Sequence, residues 1–76
     1  MIRIDVDPDN IGGAIVDLRE MTRLSQRALV DKAADGFRQN QLSGWELNKM
    51  SPSMPNFIRL VRAAGFALVL VPLEDA

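Results

Sequence analysis

The sequence predicts a mainly helical single domain in which four helices are flanked by two short strands paired in a small sheet. Three observations carry this. Apolar residues recur every three to four positions through the middle of the chain, Ile2, Ile4 and Val6 alternate with polar residues at its start, and Phe66–Val71 is apolar without interruption. A chain of 76 residues has room for one core and none for a deep cleft between domains. Residues 1–76 are therefore one domain, with a helical core expected over about 10–65.

The first strand is expected over about 2–6, where the period-two pattern marks a half-buried surface. Pro8 stops it, and Asp7, Asp9 and Asn10 are good helix-start residues. Ile11, Ile15, Leu18 and Met21 or Thr22 then give a first helix over about 10–22. Gly12 and Gly13 weaken its first turn by about 1 kcal/mol each, a cost that points to close approach of a neighbouring element. Ser25 is the N-cap expected for a second helix, with Leu29 and Ala33 inward, and Asp35-Gly36 stops it. A third helix over about 38–47 buries Leu42 and Trp45, and Asn48 follows where a left-handed residue is expected.

Ser51-Pro52-Ser53-Met54-Pro55 turns into a fourth helix that buries Phe57, Ile58, Leu60, Val61 and Ala64 and ends at Gly65. The methionines read as core filler. The second strand is expected over about 66–71, ending before Pro72. Phe66, Leu68, Val69, Leu70 and Val71 make it apolar on both faces, so both must be covered. One face can lie on the helices, beside the first strand. The other implies a homodimer through this strand, because two strands alone are marginal. In the competing monomeric reading, Arg and Lys stems cover it.

Composition narrows the function. With no Cys there is no disulfide and no thiolate nucleophile, and with no His the common zinc-ligand sets and the usual neutral-pH base are missing. No apolar run approaches the roughly 20 residues that span a bilayer, and Met1-Ile2-Arg3-Ile4-Asp5 lacks the basic-then-apolar pattern of a signal peptide. The expectation is a small intracellular binding domain, with no catalytic residue, metal, cofactor or membrane partner. The formal net charge of −1 is uneven: residues 1–17 carry −3, residues 18–62 set eight cations against four carboxylates, and the last fourteen carry −2. The middle segment either presents a basic face or carries ordinary solvated helix faces, and charge alone leaves both open.

The second and third helices, joined by a tight Gly-containing turn, form a candidate DNA-reading unit. The exposed run of the third helix is Arg38, Gln39, Asn40, Gln41 and Ser43. Amide side chains can address adenine N6 and N7 together, and Arg can address guanine O6 and N7. A purely structural surface helix more often uses Glu, Lys and Ala.

Ile11-Gly12 with Ile15 and Leu18-Arg19, then Leu24-Ser25-Gln26 with Leu29, then Gln41-Leu42-Ser43 with Trp45-Glu46 and Asn48-Lys49, then Ser51-Pro52-Ser53-Met54 carry a family resemblance. In order and spacing this set resembles the Cro and lambda-repressor-like helix-turn-helix family, the xenobiotic-response-element type, over about residues 10–66. The resemblance implies a lambda-repressor-like four-helix DNA-binding domain, usually dimeric on an operator with two related half-sites. Members include phage and mobile-element repressors, self-repressing antitoxins and small bacterial regulators, which implies the cytoplasm of a bacterial or phage-infected cell.

By position, Gln26 matches a phosphate contact that also braces the next helix, Ser25 lies at the same helix start, and Lys49 suits a phosphate. Gln39 and Asn40 match the first base-reading positions, with Ser43 one turn on, while Arg19 and Glu46 match a structural ion pair. There are departures. The stretch 33–38 is two residues longer than the usual turn, which bears on how the third helix docks, and Gly44 and Leu47 stand where many members carry Arg. The flanking strands are additions to the helical core, similar to the C-terminal strand of Cro and of small antitoxins.

Other motifs lose on inspection. Asp5, Asp7 and Asp9 have calcium-loop spacing, but Asn10 and Val16 replace the required Gly and Glu, and Pro8 intrudes. Gly12-Gly13 lacks the Lys-Ser/Thr of a phosphate loop, and Asp31 with Asp35 is a solvated like-charge pair on the second helix. Trp45 is core, not a stacking platform. The expectation is a dimeric repressor on a double-stranded operator. Its rival is a protein-interaction module, an antitoxin or antiactivator gripping a toxin or regulator, favoured by Gly44, Leu47 and the acidic pI near 5.2.

Overall fold

Four α-helices follow one another along the chain: α1 Ile11–Met21, α2 Gln26–Lys32, α3 Gln39–Glu46 and α4 Met54–Ala63, with a closing 3-10 turn at Leu73–Asp75. The structure is a computed structural model and describes residues 2–75. The four helices lie within a residue or two of where the periodicity places them. Their starts are set by side-chain caps: Asn10 Oδ1 accepts from Gly13 N at 2.9 Å, Ser25 Oγ from Ala28 N at 3.0 Å, and Ser53 Oγ from Asn56 N at 3.3 Å. At α3, Gln41 Oε1 reaches back to accept from Arg38 N at 2.8 Å.

Three of the helices end in one device. Arg23, Asn48 and Gly65 take positive φ of 59°, 59° and 90°. The next N–H in each case reaches back five residues: Leu24 to Arg19 O, Lys49 to Gly44 O and Phe66 to Val61 O. Asn48 is left-handed as its position predicts.

Ile15, Leu18, Leu29, Phe37, Leu42, Trp45, Leu60, Val61 and Ala64 form the buried cluster. α3 packs against α1 and α2, and α2 against α4. Phe37 sits in the turn before α3 and is buried, its ring 5.1 Å from that of Trp45. The long α2–α3 turn is thus pinned into the core at its far end. Its reversal falls on Ala34 (φ 50°) and Asp35 (φ 68°), not on Gly36, so Asp35 lies outside α2 and does not pair with Asp31 along a helix face.

The expected sheet does not form. Among the described residues there is no strand, and the one β-bridge, Asp7 with Asn10, belongs to the turn before α1. The expectation of strands at 2–6 and 66–71 is therefore wrong, and the domain is all-helical. The two segments do lie together, lining an open apolar groove of about 380 Å³ over α1 and α4. Within it Ile4 and Phe66 pack against the core cluster. The segments are held by side-chain burial, and no backbone hydrogen bond between them is present among the described residues. An isolated pair of strands gains too little to form a ladder, and of these segments only Ile4 and Phe66 settle onto the helical core. Val69, Leu70, Val71 and Leu73 remain exposed, Leu70 at 93% and Leu73 at 91%. Arg and Lys stems therefore do not cover the outer face. Arg3 lines the groove, and its guanidinium donates to Asp75 O at 3.5 Å.

Candidate functional site

α3 is fixed at three points, each traceable to residue chemistry. At its C-terminal end, the start of α1 approaches so closely that a Cβ on Gly12 would stand 2.5 Å from the Trp45 carbonyl oxygen. Gly12 N donates to Asn48 Oδ1 at 2.8 Å, and Asn48 Nδ2 donates to Asn10 Oδ1 at 2.7 Å. The expectation that Gly12 marks a close approach is met here by backbone on backbone.

At the last residue of the helix, Glu46 forms a two-pronged pair with Arg19: Nε to Oε2 at 2.7 Å and Nη2 to Oε1 at 2.9 Å. Arg19 Nη1 also donates to Leu24 O at 3.1 Å, which ties the α1–α2 connection to the same guanidinium. Gln26 Nε2 donates to Glu46 Oε1 at 3.1 Å. The Arg19 guanidinium is held above its ordinary pKa, first by the hydrogen bond to Glu46, with partial desolvation opposing. The third point is the N-terminal end, where Phe37 is buried and Gln41 caps Arg38 N.

Arg38, Gln39 and Asn40 stand exposed at the start of α3, and among the described residues their side chains make no hydrogen bond. Gln41 is half-buried with its carbonyl oxygen committed to the cap, which leaves only its NH₂ to offer a ligand. Ser43 is half-buried one turn on. Lys49 is exposed just beyond the helix, and Ser25 is exposed with its hydroxyl oxygen accepting the α2 cap bond. Gln26 faces α3 and spends one amide proton on Glu46. Arg38, Gln39 and Asn40 thus cluster exposed at the start of α3, Ser43 lies half-buried one turn on, and Lys49 stands exposed beyond the far end.

Two features escaped sequence reasoning. Phe37 reads as a turn residue, yet its ring completes the aromatic contact with Trp45; an aromatic directly after a Gly in a loop was the available signal. The described methionines are not core filler: Met21, Met50 and Met54 are exposed, and Met50 lies over Gly44, its Cγ 3.3 Å from where a Cβ would stand, while Met1 lies outside the described residues. Gly44 is therefore buried beneath Met50, and a long cationic side chain there would displace it.

Among the described residues no group of His, Cys, Asp or Glu is arranged to hold a metal ion, and no helix is long and apolar enough to cross a membrane. Comparison with protein-family models, with curated proteins and with solved structures found no match to this chain.

Proposed function

We propose that this chain is a sequence-specific regulator that binds double-stranded DNA as a dimer, in the manner of the Cro and lambda-repressor-like family it resembles. The observation that carries the reading is the exposed run Arg38, Gln39 and Asn40 at the start of α3, a helix held at its C-terminal end by the Arg19–Glu46–Gln26 network. Base reading needs donors and acceptors presented from a platform that does not yield, because each bidentate contact depends on geometry. In this proposal α3 enters the major groove, Gln39 and Asn40 address base edges, and Gln26, Ser25 and Lys49 set register on the phosphates. Blocking promoter access is the simplest consequence.

The test is selection of duplexes from a random pool, followed by mobility-shift titration of the enriched sequence against scrambled DNA. Gln39→Ala is expected to relax preference at one base pair. Lys49→Ala is expected to weaken all sequences alike and to make the salt dependence shallower by about one unit. No enrichment of any duplex overturns the proposal.

A protein-interaction module is the second reading, favoured by the exposed apolar face that includes Leu70 and Leu73. It predicts a chain that stays monomeric until a partner protein is supplied.

A further inference from the structure

We infer that Leu47 is a specificity-determining residue that reads a 5-methyl group on a pyrimidine in the major groove, the methyl of thymine above all. The inference rests on the DNA-binding reading above and assigns it one more contact.

Leu47 is the C-cap residue of α3 and is 61% exposed. At 100° per residue, Gln39, Ser43 and Leu47 form an i, i+4, i+8 row, and Asn40 lies beside it. Leu42 and Trp45, both buried, lie on the opposite side. Leu47 therefore stands near the middle of the outward face, in line with the amides proposed to read bases. Sequence reading treats its position as the loss of a cation. The geometry makes it an apolar end to a polar row.

The residues between favour contact. On the row itself Ser43 is small, while Met50, exposed and lying over Gly44, flanks the row on one side. Eight residues of helix span about 12 Å, or three to four base steps. Lys49, exposed two residues later, is placed to meet a phosphate flanking that end. A branched aliphatic side chain has no hydrogen-bonding atom, and the apolar group on a major-groove base edge is the pyrimidine 5-methyl.

Uracil supplies the probe, since it differs from thymine only by that methyl. Take the duplex enriched by the full chain and replace each thymine of a half-site, one at a time, by uracil. At one position the wild-type chain is expected to lose about fourfold in affinity, the worth of one buried methyl group. Leu47→Ala is expected to bind thymine and uracil alike at that position while keeping the preferences set by Gln39. Its thermal melt and far-ultraviolet circular dichroism should match wild type, because Leu47 is largely exposed. Enrichment of a duplex with no uracil-sensitive position overturns this inference alone. So does sensitivity that survives in Leu47→Ala, or a Leu47→Ala chain whose DNA binding is untouched. Failure to enrich any duplex overturns both this inference and the DNA-binding reading.

Discussion

Single atoms decide several features of this chain. A methyl group on Gly12 would meet the carbonyl oxygens of Trp45 and Glu46, backbone atoms that move only if α1 and α3 separate. Gly12→Ala is therefore expected to lower unfolding free energy by about 2–3 kcal/mol despite the better helix propensity of Ala. A fall in the urea midpoint at unchanged slope would show it. Two further positions make a pair of opposite sign. Ala34 holds φ 50° in the α2–α3 turn, a region that costs a side-chain-bearing residue about 1–2 kcal/mol. Ala34→Gly relieves this cost but frees the unfolded chain, for a net gain of about 0.5–1 kcal/mol. Gly65 holds φ 90° with open space around it, so Gly65→Ala meets no clash and should still lose about 1 kcal/mol through backbone strain alone. Thermal melts of the two variants should move in opposite directions.

At the level of helices, the central question is what holds α3 while its outer face stays free. Glu46 accepts from Arg19 twice and from Gln26 once, and its side chain is only 6% exposed. Removing it leaves a guanidinium facing a hole, so Glu46→Ala is expected to cost about 2–3 kcal/mol, somewhat less than a fully buried pair. A double-mutant cycle with Arg19→Ala should show strong coupling. The pKa of Arg19 is raised in the folded state, so its contribution is fully present below the guanidinium's unfolded range and lost only as pH rises through the folded value. The coupling should therefore be flat from neutral to moderately alkaline solution. Much of this layer is legible in the sequence, because caps and stops are local chemistry. Ser25, Ser53 and Asn48 do what their types and positions imply. The turn at Ala34 and Asp35 is less legible: the chain turns before Gly36 so that Phe37 can reach Trp45, and only the packed core reveals that demand. The Asn10–Asn48 hydrogen bond is likewise tertiary, joining residues 38 apart that are each readable alone. The strands fail for a related reason. An apolar run records that a segment must be covered, and whether it forms a ladder depends on which edge it meets.

The whole molecule exposes more surface than its mass calls for. A folded monomer of 8.4 kDa is expected to present about 4,600 Å², whereas this chain presents 5503 Å². The excess, on the order of 900 Å², is close to the roughly 800 Å² each partner contributes to a standard interface. Ile2, Val6 and the run from Leu68 to Val71 contribute to it, around a groove that no α3 residue lines. A second copy seated there would cover this surface, while Gln39 and Asn40 stay open. To read two half-sites, the joined pair must hold its α3 helices about 34 Å apart, on successive major-groove faces. Leu70 is so exposed that a charge there should barely alter the isolated fold, within about 0.5 kcal/mol, yet it would be intolerable at a covered apolar interface. Sedimentation equilibrium should therefore find the wild-type chain at twice its mass and Leu70→Asp at its monomer mass, with matching circular dichroism spectra. On a duplex with two half-sites, Leu70→Asp should lose at least about a hundredfold in affinity, since each copy must then bind alone. On a single half-site the two chains should bind alike. A wild-type chain that sediments as a monomer at high concentration, or a Leu70→Asp chain that remains dimeric, would remove this face from the interface.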